Sequence, residues 1–294
     1  MAQGTPEILR DLAHRHLSSD DAERWLGLLR PAARLLPARP GDPVAARLGG
    51  IPELPAGWAW PVWEGHGPLS FIASADCSAL PREALDVDVP KDGTLLFFYF
   101  DGQLDDGSAV VLPEYPDTRP GSRLLYVPAG EPVLPRGTPE GLDPYPVVDL
   151  AARPTMTSAE PWHPDLRDAF SPGSPAWQRY DHPVCGEDFD EALWDTEEDE
   201  GPAHRIGGHP HSIQNPVELE AAATALGGGD AGAVDRRDPR LTAESADWVL
   251  LAQFDSDDDA DMMWGDAGLL YWLIHRDDLA ARRFDKAVFT WQCG

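Results

Sequence analysis

Arg47-Leu48-Gly49-Gly50-Ile51-Pro52 returns later in the chain as Arg205-Ile206-Gly207-Gly208-His209-Pro210. The first copy leads to Phe71-Ile72-Ala73-Ser74-Ala75-Asp76 and then to Gly93-Thr94-Leu95-Leu96-Phe97-Phe98-Tyr99-Phe100. The second leads to Leu250-Leu251-Ala252-Gln253-Phe254-Asp255 and then to Gly268-Leu269-Leu270-Tyr271-Trp272-Leu273-Ile274. Every run is short, apolar and bounded by Gly or charge, which is how buried strands read. A motif that recurs with strands at matching places predicts an α+β fold with an internally duplicated, mainly antiparallel β core. Each copy then buries its apolar face against the other.

Working outward, Ile8, Leu9, Leu12, His16 and Leu17 line one side of a helix opening near Thr5-Pro6. Asp20 with Glu23 resembles a capping box for a second helix, with Trp25, Leu26 and Leu29 on its buried stripe. Residues 37–47 read as a Pro-rich connection. Fifteen prolines between 113 and 183 exclude long helices and predict extended segments wrapping the sheet, among them Leu124-Leu125-Tyr126-Val127 and Val147-Val148-Asp149-Leu150. Nine carboxylates in residues 187–200, with no base among them, predict a solvated, mobile loop. Asn215-Pro216 supplies a cap and a first-turn proline for a helix to Leu226, stopped by Gly227-Gly228-Gly229. Asp277 to Phe284 reads as a short helix, and Phe289, Trp291 and Cys293 as one face of a final strand. The organisation expected is a helical segment over 1–43 and one duplicated domain over 44–294. Within that domain the first copy occupies about 44–112, a Pro-rich and acidic insert 113–203, and the second copy 204–294.

The order and wording of these segments resemble the YwqG-like family of bacterial proteins. The resemblance rests on the Arg47 to Pro55 stretch, Trp60-Pro61, Leu69 to Asp76, His204 to Gln214, Leu251 to Asp257, Met263-Trp264-Gly265-Asp266 and Phe289 to Cys293. It implies one α+β domain with a duplicated β core. It brings no established activity and no catalytic residue to carry over.

Composition bounds the partners. The net charge is −28, from 51 acids against 23 bases, a field that repels nucleic-acid phosphate and anionic lipid and steers basic proteins. Cys77, Cys185 and Cys293 are widely spaced and form no Cys-x-x-Cys pair, which fits a reducing compartment. No basic start precedes an apolar leader, and no apolar run approaches the ~20 residues of a membrane span. A cytosolic protein is expected, with its oligomeric state left open.

Four constellations are candidates for chemistry. Asp255, Asp257 and Asp259, closing at Asp266, echo the alternating carboxylates of a calcium loop. Ala260 stands where the sharp turn needs Gly, however, and a strand follows where a helix should leave, so a solvated hairpin loop with at most weak divalent-cation binding is expected. His204, His209 and His211, with Cys185 upstream, are the second set: His209 and His211, two apart, share a face if their segment is extended, but Pro210 divides them and no fourth ligand has a recognised spacing. In the repeated motif, Arg47, Gly49 and Gly50, like Arg205, Gly207 and Gly208, could turn amides toward an anion. Neither copy has phosphate-loop spacing. Close backbone approach is the favoured reading, with each Arg paired to a local acid such as Asp76 or Asp255. Trp58 and Trp60, beside Trp63, could grip a ligand if exposed, and Gln214 and Trp264 join them as binding candidates.

No Gly-x-Ser-x-Gly elbow and no nucleophile paired with a histidine emerges. The functional expectation is therefore a non-enzymatic acidic binding protein for a basic protein partner, a neutralised toxin being one form, with no cofactor. The alternatives are a divalent-metal-dependent hydrolase built on the Asp/His cluster and a small-ligand binder with a Trp-lined pocket.

Overall fold

The computed structural model describes residues 6–173, 180–198, 201–235 and 238–294. Its strands are β1 (Arg30–Pro37), β2 (Ala46–Leu48), β3 (Glu53–Pro55), β4 (Val62–Trp63), β5 (Gly67–Pro68), β6 (Ser70–Asp76), β7 (Thr94–Tyr99) and β8 (Ser122–Val127). They continue with β9 (Val133–Pro135), β10 (Val148–Thr157), β11 (Arg205–Gly207), β12 (Trp248–Asp255), β13 (Leu269–His275) and β14 (Val288–Gln292). The helices are α1 (Pro6–His16), α2 (Ser19–Leu26), α3 (Pro164–Phe170), α4 (Glu187–Glu198), α5 (Val217–Leu226), α6 (Arg240–Ser245) and α7 (Arg276–Ala280).

Ten strands form one antiparallel sheet in the order β14-β13-β12-β11-β1-β10-β2-β6-β7-β8. The order is palindromic. β2, β6, β7 and β8 on one side of the β1/β10 pair match β11, β12, β13 and β14 on the other, and Arg34 faces Arg153 near the middle of that pair. Arg47 pairs with Ser74 in one half as Arg205 pairs with Gln253 in the other. A register shift falls between Phe71 and Ala73 in one half and between Leu250 and Ala252 in the other. The duplication read from the sequence is thus a duplication of strand order, register and irregularity.

The sheet curls until the halves face each other. Phe97 of β7 packs edge-on against Phe254 of β12 and Trp272 of β13, at centroid distances of 5.0 and 5.1 Å. This interior is the main core, joined by Leu35, Leu48, Ile72, Ile206, Leu270 and Phe289. The outer face of β12 to β14 carries Leu250, Tyr271, Leu273 and Val288, covered by Val217, Ala221 and Ala222 of α5 and Leu241 of α6. A third cluster, around Trp25 and Phe189, joins α1, α2, α3 and α4.

Several local expectations change. Arg30–Pro37 is a central strand, where the sequence led us to expect a helical segment over 1–43. Ser18, rather than Asp20, caps α2, accepting from the Asp21 amide. Pro216 occupies the cap position of α5 and has no side-chain bond to give it, so Asn215 is not the cap. The Pro-rich stretch contributes β8 and β10 to the sheet itself, because its prolines lie largely outside those strands. The acidic stretch forms α4 instead of a loop; Phe189 at its inner side meets Trp25 edge-on at 5.2 Å, and this anchor outweighs carboxylate repulsion. The last two residues of that stretch, 199 and 200, lie outside the described residues.

Candidate functional site

The two Gly-Gly turns are places of close backbone approach. A Cβ on Gly49 would stand 2.3 Å from the Pro146 carbonyl oxygen, and one on Gly208 would stand 2.5 Å from Thr157 Oγ1, with φ at +59° and +76°. Gly50 abuts Val147, and Gly207 abuts Asp86 and Val87. The amide of Gly208 donates to Asp86 Oδ1 (2.7 Å) and that of His209 to Thr157 Oγ1 (2.8 Å), so these N–H groups face protein acceptors instead of an open anion cradle. The arginines do not take the expected acids. Arg47 pairs with Asp149 (2.7 Å) on the neighbouring strand and is half exposed. Arg205 is buried and donates to the His209 carbonyl (3.1 Å). Asp76 caps a turn at Ser78, and Asp255 accepts from the Ala203 amide.

The acidic loop after β12 is a hairpin connection whose carboxylates diverge. Asp257 is buried, caps the turn at Asp259 and Ala260, and receives a 2.9 Å bond from His204. Since His204 Nδ1 accepts the Asp255 amide (3.0 Å), its proton sits on Nε2, facing Asp257. That bond holds the Asp257 carboxyl below its ordinary value against the opposing effect of burial. Asp259 and Asp266 are exposed. Among the described residues, these four carboxylates form no donor group with His209 or His211.

A different set does converge. Donor atoms of His163, His209 and Glu218 all lie within 4.8 Å of one another, and the three residues are buried. His163 caps α3, accepting from the Asp165 amide at Nδ1, while its Nε2 stands 3.4 Å from Glu218 Oε1. Glu218 comes from the first turn of α5. His209 follows the second Gly-Gly turn, meets the His163 ring edge-on at 5.3 Å and donates from Nε2 to the Leu28 carbonyl (3.0 Å). Burial, with the charges of Arg30 and His163, holds His209 well below its ordinary value and therefore neutral. Burial opposes charge on the other two, yet Glu218 draws His163 upward and His163 draws Glu218 downward; with Nδ1 accepting the Asp165 amide, the Nε2 proton of His163 faces Glu218. Sequence reasoning found His209 but not His163 or Glu218.

The segment that follows is held from below by side chains of the second half-sheet. Gln253 accepts the His211 amide, Tyr271 donates to the His211 carbonyl (2.6 Å), and Gln292 accepts the Ile213 and Gln214 amides. Glu160, pushed up to about 7 by burial, accepts the Ser212 amide. His211 faces Trp194 of α4 with ring centroids 5.7 Å apart. Gln214 is exposed and donates to the Cys293 carbonyl (2.9 Å).

The tryptophan candidates are structural. Trp60 is half-buried, donates to the Leu69 carbonyl and packs edge-on against Phe98; Trp58 is packed against the same core; Trp264 is buried and donates to the Asp255 carbonyl. Cys77 lies fully buried, its thiol pushed up to about 12 by burial, which removes it as a nucleophile.

Fold and site define a duplicated, curled antiparallel sheet with helices on its outer face and a buried polar cluster at the second repeat turn. The chain belongs to the family described as a domain of unknown function, DUF1963, whose model matches residues 46–293. No curated protein matches the chain. Among the described residues no helix is long and apolar enough to cross a membrane.

Proposed function

We propose that the chain is a YwqG-like member of this family and works in the cytosol as a non-enzymatic binding protein whose acidic surface takes a basic protein partner. The observation that carries this reading is α4. Glu187, Asp188, Glu191 and Asp195 are exposed along it, no base lies in its last turn, and Trp194, 54 % exposed, stands among them. Glu187, Glu191 and Asp195 are like charges four residues apart on one helix, which repel, and a cationic partner relieves that repulsion while an exposed indole adds contact area. The net charge of −28 speeds the encounter. A basic toxin held in check is one specific form of this partnership.

The test is cross-linked capture from native extract at physiological salt. It compares the wild type, an E187Q/D188N/E191Q/D195N variant, and a control neutralised at the exposed Glu53, Glu64, Glu131 and Glu140. A basic protein retained by wild type and control and lost from the α4 variant is the expected result. Equal retention by all three, or equal loss from both variants, refutes it.

A further inference from the structure

We propose that His163, His209 and Glu218 form a binding site for a divalent transition-metal ion, with zinc the best match. Two imidazoles and one carboxylate are a borderline donor set that suits zinc and disfavours calcium or magnesium, which take oxygen donors. The spacing fits. Bonds of ~2.05 Å in a tetrahedron place neighbouring ligand atoms ~3.3 Å apart, and His163 Nε2 stands 3.4 Å from Glu218 Oε1.

The second observation is a set of buried polar atoms without a hydrogen-bond partner. Among the described residues His209 Nδ1 and Glu218 Oε2 have none, and Glu218 Oε1 has only its long 3.4 Å contact with His163, although His209 is fully buried and Glu218 is 2 % exposed. Leaving such atoms bare in the interior is unfavourable, more so when they are charged; buried polar atoms such as Trp162 Nε1 and Trp272 Nε1 also lack a partner elsewhere, but among the described residues it is these that sit in a converging His/His/Glu group. The lone pair of His209 Nδ1 is available because Nε2 already donates to the Leu28 carbonyl, the outer contact that fixes the tautomer of a metal-bound histidine. His163 needs one adjustment. An ion at Nε2 takes the place of the proton that now faces Glu218, so the neutral ring carries its proton on Nδ1, which gives up the Asp165 amide it now accepts and turns toward Asp165 Oδ2, 3.9 Å away. Three protein donors leave one position of a tetrahedral ion for water. An ion here would tie together the starts of α3 and α5 and the second Gly-Gly turn, which come from distant parts of the chain.

The experiment uses the untagged full chain, stripped with a chelator and titrated with cobalt(II), whose visible band reports a four-coordinate site. A one-to-one band, displaced by zinc, is expected. Glu218→Gln and His209→Ala should abolish it, and Asp257→Asn in the acidic hairpin should leave it unchanged. Should those two variants fail to fold, X-ray absorption on the zinc-loaded wild type decides, with scattering from two imidazole rings at ~2.0–2.1 Å expected. No band in the wild type, a band that survives both substitutions, or scattering without imidazole would overturn the proposal; the bare atoms would then be bridged by water.

Discussion

Replacing Gly208 by alanine should be among the most damaging single-methyl additions in the chain. The added Cβ would lie 2.5 Å from Thr157 Oγ1, 2.7 Å from Ala32 Cβ and 3.2 Å from Thr157 Cγ2, at a φ of +76°. Left-handed backbone costs an L-residue about 1–2 kcal/mol, and overpacking a filled site costs ~1–3 kcal/mol. Thr157 cannot retreat freely, because its hydroxyl donates to the Arg30 carbonyl and accepts from the His209 amide. Losing one of those bonds adds about 1 kcal/mol. The sum is ~3–6 kcal/mol, a large share of the ~5–15 kcal/mol typical of a folded domain. Gly228 supplies the matched control: its φ is +66°, and a Cβ there meets nothing within 4 Å among the described residues. Gly228→Ala should therefore lose only the ~1–2 kcal/mol of backbone strain. Urea unfolding of the two variants, read as midpoint shifts at unchanged slope, measures the difference. Equal shifts would show that backbone conformation, and not contact with β1 and β10, makes this turn glycine.

The two motif arginines should behave differently despite their matching places. Arg47→Ala removes a half-exposed ion pair and should change stability by less than ~1 kcal/mol, whereas Arg205→Ala empties a buried position and strips a bond from the His209 carbonyl, so a cost at least twice as large is expected in the same urea assay. Asp257 should show in the acid limb of stability. Its carboxyl is depressed in the fold, so its contribution is complete above the ordinary value of 3.8 and disappears as pH falls through the folded value. Thermal unfolding from pH 7 down to strong acid should show the wild type's advantage over Asp257→Asn shrinking below pH 3.8; an advantage constant across that range would contradict the pairing with His204.

The duplicated sheet was legible because Leu95 to Tyr99 and Leu269 to Ile274 are unbroken apolar runs behind matching turns. Strand β1 was not. Arg30-Pro31-Ala32-Ala33-Arg34-Leu35-Leu36-Pro37 has no β-branched or aromatic residue, and it is a strand because β10 and β11 flank it. Helix α4 did carry a signal, Phe189, Ala192 and Leu193 at helical spacing, hidden by the density of charge around it. In the site, His209 drew notice beside the repeated glycines. His163 did not, since nothing local distinguishes an N-cap histidine from one that also meets a carboxylate 55 positions onward. Exposed Asp259 and Asp266 drew attention by a calcium-loop-like spacing that the folded hairpin does not gather, while His204 showed no sign in sequence of closing on Asp257.

The palindromic sheet also sets a schedule for synthesis. β1 is made before any strand of the first half, yet it lies between β10, whose pairing residues begin at 150, and β11 at 205. At ~5–20 residues per second the ribosome delivers the first of these neighbours roughly 6–25 s after β1 and the second a few seconds later. Throughout that interval an Ala- and Leu-bearing segment waits with both backbone edges unmatched. The prolines at its two ends, Pro31 and Pro37, shorten the row of amides it could offer to a neighbouring nascent chain.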